Sequence, residues 1–132
     1  MRSMEAKTHL GIDASLCGKP VELGDGTAQV KMTTTAAMAA DDHGLVHGGF
    51  VFGLADYAAM LAVNHPLVVL AGAEVKFLAP CRVGDELHAT ARAEERDEKR
   101  ASIAVEVSVG DTKIFSGTFK CAVPKRHVLE PR

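Results

Sequence analysis

The chain has 132 residues, with 15 basic against 17 acidic side chains and a net charge of −2. That length fits one domain spanning 1–132, and that balance gives no electrostatic case for nucleic acid or a membrane surface. There is no Trp and one Tyr, which leaves no platform for stacking bases. Cys17, Cys81 and Cys121 form neither a CxxC pair nor a zinc spacing, so they read as free thiols of a reducing cytoplasm.

In chain order, residues 1–23 mix polar side chains with Gly11, Gly18 and Pro20. They read as an N-terminal arm with room for a short helix. Glu5 and Asp13, with no long apolar run, argue against a signal peptide. Ala28, Val30 and Met32 alternate with polar residues, which predicts a first strand. Asp41 to Gly44 is a polar loop. A helix is expected from Phe50 to Val63, stopped near Asn64-His65-Pro66 because proline disfavours helix at the residue before it. Its apolar stretch is too short for a bilayer and carries Asp56 at its centre, so it must be buried in protein.

The second half alternates with period two. Val68–Leu78 reads as a strand, Pro80–Asp85 as a turn and Leu87–Ala93 as a strand. Glu94–Arg100 reads as a charged, solvated connection. Ile103, Val105, Val107 and Val109 mark another strand, and Gly110-Asp111 a tight hairpin. Phe115, Gly117, Phe119, Cys121 and Val123 mark the last. Sustained alternation means an antiparallel sheet with one buried face, and one long apolar helix is available to cover it. The expected class is α+β: a helix wrapped by a curved antiparallel sheet of about five strands.

Asp56 is the only ionisable carboxylate between Phe50 and Val63. A carboxylate on an apolar helix is costly unless it is paired, hydrogen-bonded or used. As a structural residue it would be held by a backbone or hydroxyl partner. As a functional one it would be a general base or nucleophile, since burial raises its pKa towards neutrality. The functional reading is favoured. His47-Gly48-Gly49 sits where the helix should begin. It is either a loop needing glycine or an oxyanion site built from the free backbone N–H groups of a helix start.

Gly49 and Asp56 are seven positions apart, so they share a helix face about 10 Å apart along the axis. One small carbonyl group does not comfortably meet both. Two copies related by a twofold axis would bring Asp56 of one helix to Gly49 of the other. The stripe Gly49, Gly53, Asp56, Met60 has the small residues for such a close approach; the alternative is that it packs on the sheet. The dimer is favoured.

Other constellations carry less. Asp41, Asp42, His43 and His47 resemble a metal set, but the glycines around them spoil the helical spacing of the two histidines, and no metal is expected. No Ser-His-Asp grouping is visible. The three thiols read as buried or idle. Arg82, Lys99, Arg100, Lys125 and Arg126 are of a type that meets phosphates, as basic residues on any surface are.

The pattern Gly44-x-x-His47-Gly48-Gly49, then Leu54-Ala55-Asp56, then Phe77-Leu78-x-Pro80-x-x-x-Gly84-Asp85, resembles the hotdog-fold acyl-CoA thioesterases of the phenylacetate-pathway and human thioesterase superfamily member 2 type. The resemblance covers roughly residues 28 to 123. It implies a helix wrapped in five or six strands, a homodimer with a continuous sheet, and often a pair of dimers. It implies no cofactor beyond the coenzyme A of the substrate. By resemblance Asp56 activates water or attacks the thioester carbon. Gly48 of the partner subunit holds the thioester oxygen, and His47 supports that loop. The pantetheine arm would run between subunits, with the nucleotide on the surface near basic residues. Two positions depart from the family. Asp41 stands where many relatives carry Asn, and Leu70 falls near where they often carry Ser or Thr.

The expected function is therefore hydrolysis of an acyl-CoA thioester. Asp56, Gly48, Gly49 and His47 are the candidate catalytic residues, and Asp41, Phe50, Tyr57 and Arg82 the candidate substrate contacts. Phe50, Phe52, Tyr57 and Met60 are candidates to line an apolar pocket. A non-catalytic acyl-CoA binder on the same fold is the alternative. An enoyl-thioester hydratase or dehydratase ranks below it, because the dehydratase signature is missing.

Overall fold

Alternation of apolar and polar residues sends every second side chain to one face of a sheet, and that face must then be covered. The computed structural model describes residues 3–130 and resolves the pattern into six strands in one antiparallel sheet. They are β1 (Lys19–Gly24), β2 (Thr27–Thr33), β3 (Val69–Phe77), β4 (Glu86–Arg96), β5 (Arg100–Val109) and β6 (Thr112–Ala122). Their spatial order is β1-β2-β4-β5-β6-β3. A short helix, α1 (Ala14–Cys17), precedes β1, and a long one, α2 (Gly48–Val63), lies between β2 and β3.

The covered face carries Val30, Ala89, Ile103, Val105, Phe115 and Phe119, all buried. Against it α2 lays Val51, Leu54, Ala55, Ala58, Ala59 and Ala62, all buried. Burying a side chain the size of Leu54 or Phe119 contributes about 1.5–3 kcal/mol, so this contact is the main source of stability. Asn64 ends α2 in a left-handed conformation, its N–H donating to Met60 O. Its side chain then ties the N-terminal segment down, accepting from Lys7 N–H and donating to the carbonyl of Glu5.

Two expectations need correction. The arm drawn over residues 1–23 does hold a short helix, α1, but it also contains most of an edge strand: Lys19–Gly24 pairs with β2. Most of its side chains are exposed, so no apolar alternation announced it. The supposed connection Glu94–Arg100 is mostly strand. β4 continues to Arg96 past an irregularity between Ala93 and Glu95, and β5 already starts at Arg100. Only a tight turn remains, fixed by Asp97 Oδ1, which accepts the N–H groups of Lys99 and Arg100. The sheet therefore has six strands, within the five or six that the resemblance implied, and α2 begins two residues earlier than expected.

Gly117 on β6 faces Val75 of β3. A Cβ there would fall 2.6 Å from Val75 Cγ1 and 2.8 Å from the carbonyl oxygen of Glu74, which is backbone and cannot swing away. Gly117→Ala is expected to destabilise the fold by about 1–3 kcal/mol, read as a lower denaturation midpoint at unchanged slope. An unchanged midpoint would mean that β3 is not held this tightly to β6.

Candidate functional site

The loop before α2 is fixed by backbone bonds: His47 N–H donates to Met38 O at 2.9 Å and Val46 N–H to Cys81 O at 3.0 Å. Asp41 shapes the same loop, its Oδ1 accepting from His43 N–H at 2.9 Å and Leu45 N–H at 3.2 Å. A carboxylate oxygen here does what an amide oxygen would do. Arg82 lies across the loop in a bridge with Leu45, its N–H donating to Asp85 Oδ2.

At the helix start, His47 caps α2 without a side-chain bond. Among the described residues, neither Gly48 nor Gly49 N–H has an acceptor. Bare N–H groups at a helix N-terminus attract negative charge. Two rings crowd this point. Phe77 stands so close to Gly48 that a Cβ there would meet its Cε1 at 3.1 Å, and the His47 ring lies equally tight against Gly49. An open cleft of about 300 Å³ adjoins Gly48, walled by Val51, Phe77, Pro80 and Ile114.

Two turns along α2 lies Asp56. Its Oδ1 is buried and has no hydrogen-bond partner among the described residues. Burial pushes its pKa up from 3.8 to about 6. The structural reading of Asp56 required a partner for that oxygen, and the described residues supply none. The charge of Asp56 bears on Cys17 of α1 and Cys121 of β6. The Cys121 thiol is pushed up to about 12, by burial first and by the Asp56 charge second. Cys17 is raised by the same two causes in the same order.

The remaining candidates disperse around the helix. Gly49 is exposed, Gly53 has no atom within 4 Å of where a Cβ would be, and Asp56 lies on this same open side. Met60, placed on that stripe by spacing, is buried instead. Tyr57 turns towards the N-terminal segment, where its ring lies 6.2 Å from that of His9. Phe50, seven positions earlier on that flank, is half-buried and meets the His47 ring edge-on at 6.1 Å. Asp41, Asp42, His43 and His47 form no ligand set; among the described residues no three His, Cys, Asp or Glu converge for a metal. Nor is any helix there long and apolar enough to cross a membrane.

The arrangement sets a buried carboxylate and a bare helix N-terminus about 10 Å apart on one unbroken helix. Beside them β3 is an edge strand with one side unpaired. Phe77 and Leu78, both about half exposed, stand at its end. Sequence reasoning missed two neighbours of the site. Cys17 was hidden in the supposed arm, and Phe77, read as a strand residue and as part of the family pattern, was given no place at the helix start. Cys121 was legible, since its period-two position points it at the helix.

The family model of the thioesterase superfamily matches residues 43–115, and the chain belongs to that family. A methylthioribose-1-phosphate isomerase of Aquifex aeolicus is 55% identical over 116 residues, 88% of this chain. This chain spans only 25% of that protein, so the isomerase name describes a far longer chain. The acyl-coenzyme A thioesterase PaaI of Escherichia coli is 34% identical over 100 residues, covering 74% of this chain and 66% of that one. The transcription factor FapR of Bacillus cytotoxicus is 28% identical over 78 residues, covering 58% and 40%. Among solved structures, an uncharacterized protein of Pyrococcus horikoshii superposes with a TM-score of 0.96 at 46% identity, covering 98% of this chain and 100% of its own. The helix-in-sheet architecture is thus the hotdog fold of this family.

A buried carboxylate with a raised pKa has a stability signature. Folded Asp56 holds its proton up to about pH 6 and the unfolded group only to about 3.8. The folded state is therefore favoured most below 3.8, and that advantage is lost as pH rises through 6. Asp56→Asn is expected to be more stable than wild type at pH 8 by about 1–3 kcal/mol, with the gap closing below pH 4. Thermal melts at both pH values check this, and a gap that ignores pH would contradict the burial of the charge.

Proposed function

We propose that this protein hydrolyses acyl-CoA thioesters to a free acid and coenzyme A. The observation that carries the reading is the buried, unpartnered oxygen of Asp56 on the same open helix side as a bare glycine N-terminus. Membership of the thioesterase superfamily and similarity to PaaI support the substrate class.

In this reading Asp56 takes a proton from water, whose oxygen attacks the thioester carbon. Alternatively, the carboxylate itself attacks and water then cleaves the anhydride. Either way the carbonyl oxygen becomes an oxyanion, the C–S bond breaks and the thiolate of coenzyme A leaves. The Gly48 N–H, aided by Gly49 and the helix dipole, holds the oxyanion. His47 positions the loop. The 10 Å separation within one helix favours a site shared by two copies, Asp56 from one and Gly48 from the other. The free edge of β3 is the natural seam, since antiparallel pairing with its own copy would extend the sheet and cover Phe77. Phe50, Tyr57, Arg82 and Asp41 are placed by this reading around the substrate path, Asp41 through the loop it shapes.

The test is a panel of acyl-CoAs assayed for free thiol. Asp56→Ala is expected to lower kcat by about a thousandfold or more while the fold persists. Unchanged hydrolysis would sink the assignment. Gly48→Pro removes the N–H at a helix position whose backbone suits proline, though the Phe77 ring must shift for the added ring atoms; with a melting temperature to control for folding, it is expected to cost about 10²–10³ in kcat. Each variant alone should be nearly inactive. Mixed and reassembled, they should recover about a quarter of wild-type activity if the site is shared across a dimer, because half the dimers would be hybrids with one intact site. No recovery despite exchange would place both groups in one subunit.

A second reading, a binding module that leaves the thioester intact, draws on the similarity to FapR, a transcription factor. It predicts saturable binding with no thiol released by wild type.

A further inference from the structure

The N-terminal segment is held down along its length. Met4 N–H donates to the carbonyl of Leu23 at 2.8 Å, and Ser3 Oγ accepts from Leu23 N–H. Asn64, the residue that ends α2, then clasps the segment at two points. Its Oδ1 accepts from Lys7 N–H at 2.7 Å, and its Nδ2 donates to Glu5 O at 2.9 Å. Past the clasp Thr8 is buried, and its Oγ1 lies 2.8 Å from His9 Nδ1. His9 has a left-handed backbone with φ 56°, which a residue with a side chain keeps only where its surroundings hold it. Its ring faces that of Tyr57 at 6.2 Å.

Tyr57 and Asn64 are seven positions apart, so they share one side of α2 about two turns apart. A segment that touches both crosses the turn between them. Met60 stands in that turn and is 1% exposed, although its stripe is open at Gly49 and Gly53. Residues 5–9 are therefore a strap. It closes the C-terminal half of the helix side that carries Asp56 and leaves the N-terminal half bare. Asp56 sits at the boundary, one turn before Met60, with about 6 Å of helix axis between them.

A thioester carbon at Asp56 would have an open side towards Gly53 and Gly49 and a wall one turn the other way. The coenzyme A arm is long and charged, so it cannot lie beneath a strap and leaves by the open side. The acyl group then faces the wall. That wall offers no charge to an acyl group: Glu5 and Lys7 are exposed to solvent, and burial lowers the His9 pKa, which leaves its ring neutral at pH 7.

We propose that Asn64 is the positioning residue that sets acyl length: by holding residues 5–9 across Met60 it makes the end wall of the acyl site, so the protein takes short, uncharged acyl groups that fit within one helix turn. The inference rests on the acyl-CoA reading above.

The test removes the clasp alone. Asn64→Gly deletes the amide and keeps the left-handed helix end, which glycine adopts without strain. Asn64→Asp keeps an oxygen for Lys7 N–H and loses the donor to Glu5; it carries the same test if Asn64→Gly does not fold. Amide hydrogen exchange at Lys7 reports the strap, and melting temperature reports the fold. Free thiol release is measured on the full chain with acetyl-, butyryl-, hexanoyl- and octanoyl-CoA. In wild type kcat/KM is expected to fall about tenfold or more from butyryl to octanoyl. Asn64→Gly should open the Lys7 amide to exchange and raise the octanoyl-to-acetyl ratio of kcat/KM by about tenfold, with Asn64→Asp between it and wild type. A strap needed only for stability would lower the melting temperature and leave that ratio where it was. An unchanged ratio with Lys7 exchanging freely, a Lys7 amide still protected in Asn64→Gly, or a wild type that takes octanoyl as well as acetyl would each overturn the wall while leaving the hydrolase reading intact. If wild type releases no thiol from any of the four, the hydrolase reading falls. The wall is then judged by the same ratio in calorimetric Kd, with the same outcomes deciding.

Discussion

The structure turns on one constraint: α2 is apolar nearly all round, but the sheet can cover only one side of it. Alanines and leucines take the covered side, and the sheet closes over them. The other side is left with glycines and a single carboxylate. That carboxylate is deep enough to lose hydration on one oxygen, and among the described residues no partner replaces it. A group in that state costs stability at neutral pH and is retained only if it does something. The raised pKa of Asp56 and the base proposed for it both follow from that burial.

The same helix sets the distance between the chemical groups. An unbroken α2 fixes Gly48 and Asp56 roughly two turns apart, and no loop motion can bring them together. Under the proposed function, sharing the site between copies resolves that spacing. It also gives a use to the unpaired edge of β3 and to the half-exposed Phe77 and Leu78 at its end. Fold, edge strand and chemistry then answer to one geometric fact.

Much of this was legible in the residues. Period-two alternation located β2, β5 and β6 because their inward residues are large or branched and their outward ones polar. Asp56 stood out because nothing around it was polar. β1 was illegible because both of its faces are mostly exposed, so burial left no pattern in its sequence. The end of β4 was hidden for a related reason: past the irregularity at Ala93/Glu95 its side chains are charged and solvated, yet its backbone still pairs.

The central claim is that Asp56 sits as an unpaired, desolvated carboxylate that changes charge near neutrality. The most direct measurement is a carboxyl-carbon NMR titration of wild type, with the Asp56 signal assigned by its loss in Asp56→Asn. The account predicts a midpoint near 6, well apart from the exposed aspartates. A midpoint near the ordinary 3.8 would mean that water or a hydrogen bond reaches the buried oxygen, and the case for Asp56 as a base would fail.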